Sequence, residues 1–257
     1  MWGMNLRRLI HPDAGWLDEP GRGRVWGVAG AAFLGLAMYG FTVGYWRAPL
    51  MGVYVAVKLP LLVALTLGCN GLLNGLAGLL LGSGLGFRQS WLALLSSFAV
   101  AALILGSLAP VTFLLAWNAP PPGSEEAGRA HSAYLVTHTF LIGFAGVAAN
   151  VHLHRQLAAR ATTPMAATGT LLAWLGGNGF LGAQFSWILR PFFGTPTLEV
   201  AFLREDPMKG NFYQTVWRSL ESICGAAALP VLIGAVALLG LPVAIAIRSH
   251  HQPHKKP

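Results

Sequence analysis

Lys58, His138, Arg190, Arg218 and Glu221 are ionisable residues inside or beside long apolar runs. A charge at bilayer depth is costly unless it is paired or hydrated, so such residues mark the chemistry of a membrane chain. In VYVAVKLPLLV, Lys58 lies about 9 Å from residue 52 at about 1.5 Å per residue, within snorkelling reach. Glu221 lies at a comparable depth from the same side, with Arg218 one turn before it. The arrangement this suggests is a Lys58–Glu221 ion pair between the second and sixth runs, acting as a packing bridge or as a substrate or ion site, with no contact between the two as the remaining alternative. His131 and His138 are seven residues apart, so they share a helical face, with Tyr134 between them. His138 is expected to be a hydrogen-bonded bundle histidine, with proton-linked chemistry as the alternative.

Other chemistry is not encoded in recognisable form. His131, His138, His152 and His154 all belong to one run, whereas haem ligation in a bundle needs facing histidines on a helix pair, so no cofactor is expected. Cys69 and Cys224 lack metal-ligand spacing and read as small packing residues, and His250, His251 and His254 lie in a polar tail without a scaffold; no metal is expected. There is no G-x-S-x-G, H-E-x-x-H or Walker loop, and GSGLGF at 82–87 reads as a turn between spans, so the expected protein is not an enzyme.

The elements that must position these residues follow from composition. With 54% hydrophobic and 10% charged residues, the chain has too few ionisable groups to cover a soluble globule of 257 residues. The net charge of +8 comes from basic residues flanking apolar runs, a pattern of membrane topology and lipid contact, not of nucleic-acid binding. A helix needs about 20 apolar residues to cross the hydrocarbon layer. Runs near 25–45, 52–81, 91–117, 131–154, 166–190 and 217–247 meet that length and predict an all-α, polytopic bundle of about six spans over 25–247. The second run holds Pro60, Asn70 and Asn74 and is read either as one long kinked span or as a helix with a broken end. Residues 1–24 place Trp2, Leu6, Leu9 and Ile10 at roughly helical spacing beside Arg7 and Arg8, predicting an interfacial amphipathic helix, and 248–257 reads as a disordered basic tail.

Six spans put Arg7, Arg8, Arg22, Arg24, Arg88, Arg155, Arg160, Arg248, Lys255 and Lys256 on one side and Arg47, Arg129, Arg190, Arg204, Lys209 and Arg218 on the other. The excess predicts both termini in the cytoplasm. Small residues four apart, at Gly40 and Gly44, Gly71 and Gly75, Gly78 and Gly82, and Gly182 and Ser186, support a compact bundle.

In QFSWILRPFFGTP, Arg190 is placed to complement the carbonyl end of the fifth span, and Pro191 ends the helix. Trp187, Phe192 and Phe193 read as an aromatic belt. The following segment, 191–216, is too apolar for a free linker, so it is expected to fold over the non-cytoplasmic mouth and cover Lys58, Glu221 and Arg190. Phe212 and Tyr213 join the aromatic group as expected partner or lipid contacts.

GAQFSWILRPFFGTP at 182–196, GNFYQTVW at 210–217 and FRQS at 87–90 resemble a pattern of uncharacterised bacterial polytopic membrane proteins; a broader resemblance is to Yip-like membrane proteins, which have five spans. The resemblance implies a bacterial inner-membrane protein and transfers no catalytic residue. The expected function is a non-enzymatic structural, assembly or accessory subunit in contact with the lipid bilayer and with other membrane proteins or further copies of itself. The alternative is a channel or transporter whose hydrated path is lined by Lys58, Asn70, Asn74, His138, Asn178 and Gln184, with its polar site around Lys58, Glu221 and Arg190.

Overall fold

The computed structural model describes residues 17–18, 21–197, 199–227, 229–230 and 233–234. Among the described residues, six α-helices follow in order: α1 (Arg22–Tyr45), α2 (Pro49–Leu80), α3 (Phe87–Asn118), α4 (Ala127–Ala158), α5 (Pro164–Ile188) and α6 (Phe212–Cys224), with a 3-10 turn at Gly225–Ala227. The starts have local causes. Pro49 and Pro164 occupy first helical positions, where no amide hydrogen is needed. Thr163 Oγ1 accepts from the Ala166 amide at 3.0 Å, and Asn211 Oδ1 accepts from the Gln214 amide at 2.8 Å, capping α5 and α6.

Helices α1 to α4 are long and apolar enough to cross a membrane. The 32-residue helices α2, α3 and α4 are each about 48 Å long at about 1.5 Å per residue, more than the hydrocarbon thickness of about 30 Å. Helix α5 spans 25 residues, but Asn178, Gln184, Ser186 and several glycines dilute its apolar content, and it is not among the four. Helix α2 is continuous through Pro60, which resolves the ambiguity over residues 52–81. The sixth expected span is revised: its helix starts at Phe212, five residues before 217, and ends at Cys224, where Gly225 takes φ 52°. Most of 228–247, the tail at 248–257 and most of the expected interfacial helix in 1–24 lie outside the described residues, while Arg22–Arg24 already belong to α1.

Helix α1 packs between α2 and α3, with Val28, Ala32, Leu36, Tyr39 and Val43 buried along one stripe. Backbone approach there is close. A Cβ built on Gly44 would sit 2.4 Å from Met51 O, one on Gly40 2.6 Å from Val55 O, and one on Gly35 2.3 Å from Ala102 O. These glycines serve packing within one chain. Helix α4 packs on α3, and α5 lies against α2 and α4. Cys69 is exposed on α2, not buried as a packing residue.

At the end of the bundle where α2 runs into α3, Asp18 receives two bonds from Arg160, at 2.8 and 2.7 Å, and one from Gln89 Nε2 at 2.7 Å. The hydrogen bonds from Arg160 are the main reason that the Asp18 carboxyl is held below its ordinary pKa. Leu17 beside it is buried in the core. The turn between α2 and α3 is clamped against the α4–α5 connection through Thr162 N to Gly82 O at 3.1 Å.

Candidate functional site

At the opposite end, the segment after α5 folds back onto the bundle. Helix α5 ends at Ile188, and Arg190 Nη1 donates to Trp187 O at 2.5 Å while its guanidinium lies 3.8 Å above the Trp187 ring. The cation thus adds a charged donor to a terminal carbonyl of α5, Trp187 O, which the Arg190 amide also reaches at 3.5 Å. Pro191, joined to Arg190 by a cis peptide, offers its carbonyl inward.

Lys58 Nζ donates to that carbonyl at 2.7 Å. Lys58 is 0% exposed and lies under the Phe192 and Phe202 rings, 5.8 and 5.1 Å from their centroids. Ring faces are electronegative and favour a nearby ammonium, so the two aromatics and one carbonyl replace the expected carboxylate. Glu221 is exposed on α6, as is Arg218, and Glu221 forms no ion pair with Lys58. The Lys58–Glu221 pair is therefore corrected. The reason is geometric: the returning loop supplies the Pro191 carbonyl and two aromatic rings to Lys58, and α6 leaves Arg218 and Glu221 exposed.

The aromatics of the loop are also corrected. Phe192 and Phe193 pack against the core instead of forming an outward belt. Phe193 meets His138 and Tyr134 edge-on, at 5.7 and 6.4 Å between ring centroids. Tyr213 stacks on Phe180 at 4.6 Å and donates to Phe180 O, and the Phe212 amide reaches Gln184 Oε1 at 3.4 Å. These contacts attach the start of α6 to α5. Tyr54 packs edge-on to Phe202 at 5.4 Å, holding the middle of the loop to α2. Gly194 takes φ 67°, and a Cβ there would meet Arg47 Cγ at 2.8 Å, so this turn requires glycine on both counts. Arg47 Nε donates to Thr195 O at 2.9 Å.

The His138 ring is buried. Its Nδ1 lies 2.6 Å from Tyr39 Oη, and its Nε2 has no partner among the described residues. Next to this pair, Tyr134 Oη donates to Thr42 O, and Thr42 Oγ1 lies 2.7 Å from Thr112 Oγ1. His131 stacks on Trp46 at 5.5 Å. Tyr39 was not anticipated as a site residue. A signal existed: Tyr39 and Trp46 have the seven-residue spacing of His131 and His138, as expected for two facing antiparallel stripes.

Two further polar clusters lie along the bundle. Asn178 Oδ1 accepts from Asn70 at 3.0 Å and from Asn74 at 3.1 Å, and Trp174 Nε1 donates to Asn74 O at 2.6 Å, joining α2 to α5. Gln156 bonds Ser96 Oγ at 2.9 Å and His152 Nε2 at 2.9 Å, joining α4 to α3. Lys58, Arg190 and His138 are therefore brought to one loop, whereas Asn70, Asn74 and Asn178 form a separate knot. A cleft of about 620 Å³ opens beside the loop, lined by His131, Arg190 to Thr195, and residues of the 199–209 stretch.

No family model, curated protein or solved structure matches this chain.

Proposed function

We propose that the protein is a non-enzymatic assembly subunit of a bacterial inner-membrane complex, and that its helix bundle presents the loop 191–211 and the start of α6 as a docking platform on the non-cytoplasmic side. The observation that carries this reading is the use of the interior polar residues. Lys58, the Asn70–Asn74–Asn178 knot and the Ser96–Gln156–His152 group each bond within the protein in separate clusters. A conducting path needs polar groups turned toward a shared aqueous axis; groups consumed in local bonds fix helix positions instead. The ammonium of Lys58, the costliest group to bury, is spent on holding the loop. The resemblance of the LRPFFGTP and GNFY segments to bacterial polytopic membrane proteins supports the location.

At the crest of the loop, Met208 is 75% exposed, far more than the side chains that anchor the segment. An exposed flexible thioether is suited to a protein contact. The test is gentle-detergent purification from the native membrane with quantitative mass spectrometry, comparing wild type with Met208→Glu. The expected result is a stoichiometric membrane-protein partner whose recovery falls at least about tenfold in the variant, as truncating an interface hot spot does. A homogeneous chain without a partner in both samples would sink the assembly reading.

A further inference from the structure

The cleft beside the loop has a use that the docking reading does not explain. Its floor is built by His131, Arg190 and the Pro191–Thr195 turn, all at least partly buried, and its rim by exposed Arg204, Lys209, Glu199, Glu205 and Asp206. Two buried polar atoms among the floor residues, His131 Nδ1 and Thr195 Oγ1, have no partner among the described residues. A buried polar atom left unsatisfied costs about 1–3 kcal/mol, so two such atoms bordering one cleft require explanation.

The arginines point the same way. Arg190 and Arg204 line the same cleft, and neither forms an ion pair with a described carboxylate; the described ion pairs are Arg160–Asp18 and Lys209–Asp206. Among the described residues, the Arg190 guanidinium has one acceptor, Trp187 O, reached from Nη1, which leaves most of its five N–H donors to other partners. Partial burial, followed by the neighbouring Arg204 charge, pushes the Arg190 pKa down from its usual value. An anion in the cleft that both arginines line offsets their like charges and accepts from guanidinium N–H groups. The Thr195 hydroxyl and a protonated His131 nitrogen add donors of the kind that a tetrahedral oxyanion accepts.

We infer that this cleft is a binding site for a phosphate group, with Arg190 and Arg204 as its charged clamp and Thr195 and His131 as neutral donors on its floor. Arginine presents paired N–H groups that match two phosphate oxygens, which a lysine point charge does not. The group is either the headgroup of a phospholipid or free phosphate. Of the rim acids, Asp206 is drawn to Lys209 at 3.9 Å, while Glu199 and Glu205 stay exposed and oppose the anion. That opposition provides a control of opposite sign, because removing a rim carboxylate strengthens phosphate binding.

The test uses the full chain, purified in a non-ionic detergent, with two probes: inorganic phosphate by titration calorimetry, and phosphatidylglycerol retention by native mass spectrometry. Arg204→Gln is the weakening variant, chosen because Arg204 is exposed and the bundle does not depend on it; Glu205→Gln is the strengthening variant. Expected is binding of at least one probe, weakened at least about tenfold by Arg204→Gln and tightened by Glu205→Gln. Binding of inorganic phosphate identifies free phosphate as sufficient. Retention of the lipid alone identifies a headgroup whose acyl chains are needed, and both results support the site. Arg190→Lys keeps the charge and loses the fork, and is expected to weaken the same probe. Binding of neither probe, or equal binding by wild type and Arg204→Gln, would overturn the inference.

Discussion

Lys58→Glu is expected to abolish recovery of folded protein, and Glu221→Lys is expected not to restore it. In the native protein the ammonium donates to Pro191 O at 2.7 Å and faces two aromatic rings. A carboxylate there sets acceptor against acceptor and negative charge against negative ring faces, in a position that is 0% exposed. Leaving a buried charge without compensation costs about 3–5 kcal/mol, a large share of a net stability of about 5–15 kcal/mol. Reversing Glu221 offers no relief, because it is exposed on α6 and does not meet Lys58. Lys58→Met separates the two roles of the side chain: the stem still packs, but Pro191 O loses its donor at a cost of about 1–3 kcal/mol. That variant is expected to keep α1 to α4 folded while amides of 192–197 exchange faster. Fluorescence-detected size exclusion and hydrogen exchange read both outcomes, and rescue of Lys58→Glu by Glu221→Lys would show that the two residues do pair.

A single methyl group on α1 gives the second large effect. Gly35→Ala places a Cβ 2.3 Å from Ala102 O and 2.7 Å from Ala102 C, inside the contact distance of both. The obstacle is backbone, so relief requires α1 and α3 to move apart along a tightly packed face. Overpacking of this kind costs about 1–3 kcal/mol and sometimes more. Gly30→Ala, five residues earlier on the same helix, meets nothing within 4 Å and replaces glycine by a better helix former, a gain of up to about 1 kcal/mol. Thermal unfolding in one detergent is expected to move in opposite directions for the two variants. Equal shifts would contradict the close approach of α1 and α3.

The contrast between these glycines also shows what the sequence made legible. Long apolar runs located α1 to α5 because a helix that buries or faces lipid on most sides has little polar interruption, but their ends were set by features of short range. Pro49 and Pro164 at first helical positions, and the Gln89 side chain over the Gly86 amide at 2.7 Å, extended the helices beyond the apolar runs. The four-residue spacing at Gly40 and Gly44 marked a close face, whereas Gly35 and Gly106, which meet each other across α1 and α3, lie four residues after Ala31 and Ala102, a small-residue spacing too frequent in this chain to single them out.

The site was legible only in its members. Lys58, Arg190 and His138 stood out by charge in an apolar context, but the partner of Lys58 is a backbone carbonyl, which every residue has and no residue type announces. Charge complementarity alone points from Lys58 to a carboxylate, and Glu221 is the one at comparable depth. The inward turn of Phe192 and Phe193 was likewise hidden, since an aromatic beside an interfacial arginine has the same composition whether it faces lipid or core. Asn70 and Asn74 showed their i, i+4 relation, while the third member of the knot, Asn178, depends on the register between α2 and α5.

The most direct measurement is acylation of the wild-type protein in membrane vesicles with a small, water-soluble amine-reactive reagent, followed by peptide mass spectrometry at Lys58 and Lys209. Lys209 has its side chain 83% exposed, whereas Lys58 is sealed by Pro191 and two phenylalanines. With reagent on the side that reaches the loop, Lys209 is expected to be modified to completion while Lys58 stays unmodified until the protein is denatured. Modification of Lys58 at a rate comparable to Lys209 in the folded protein would contradict the sealed anchor and point to a water-filled path through the bundle.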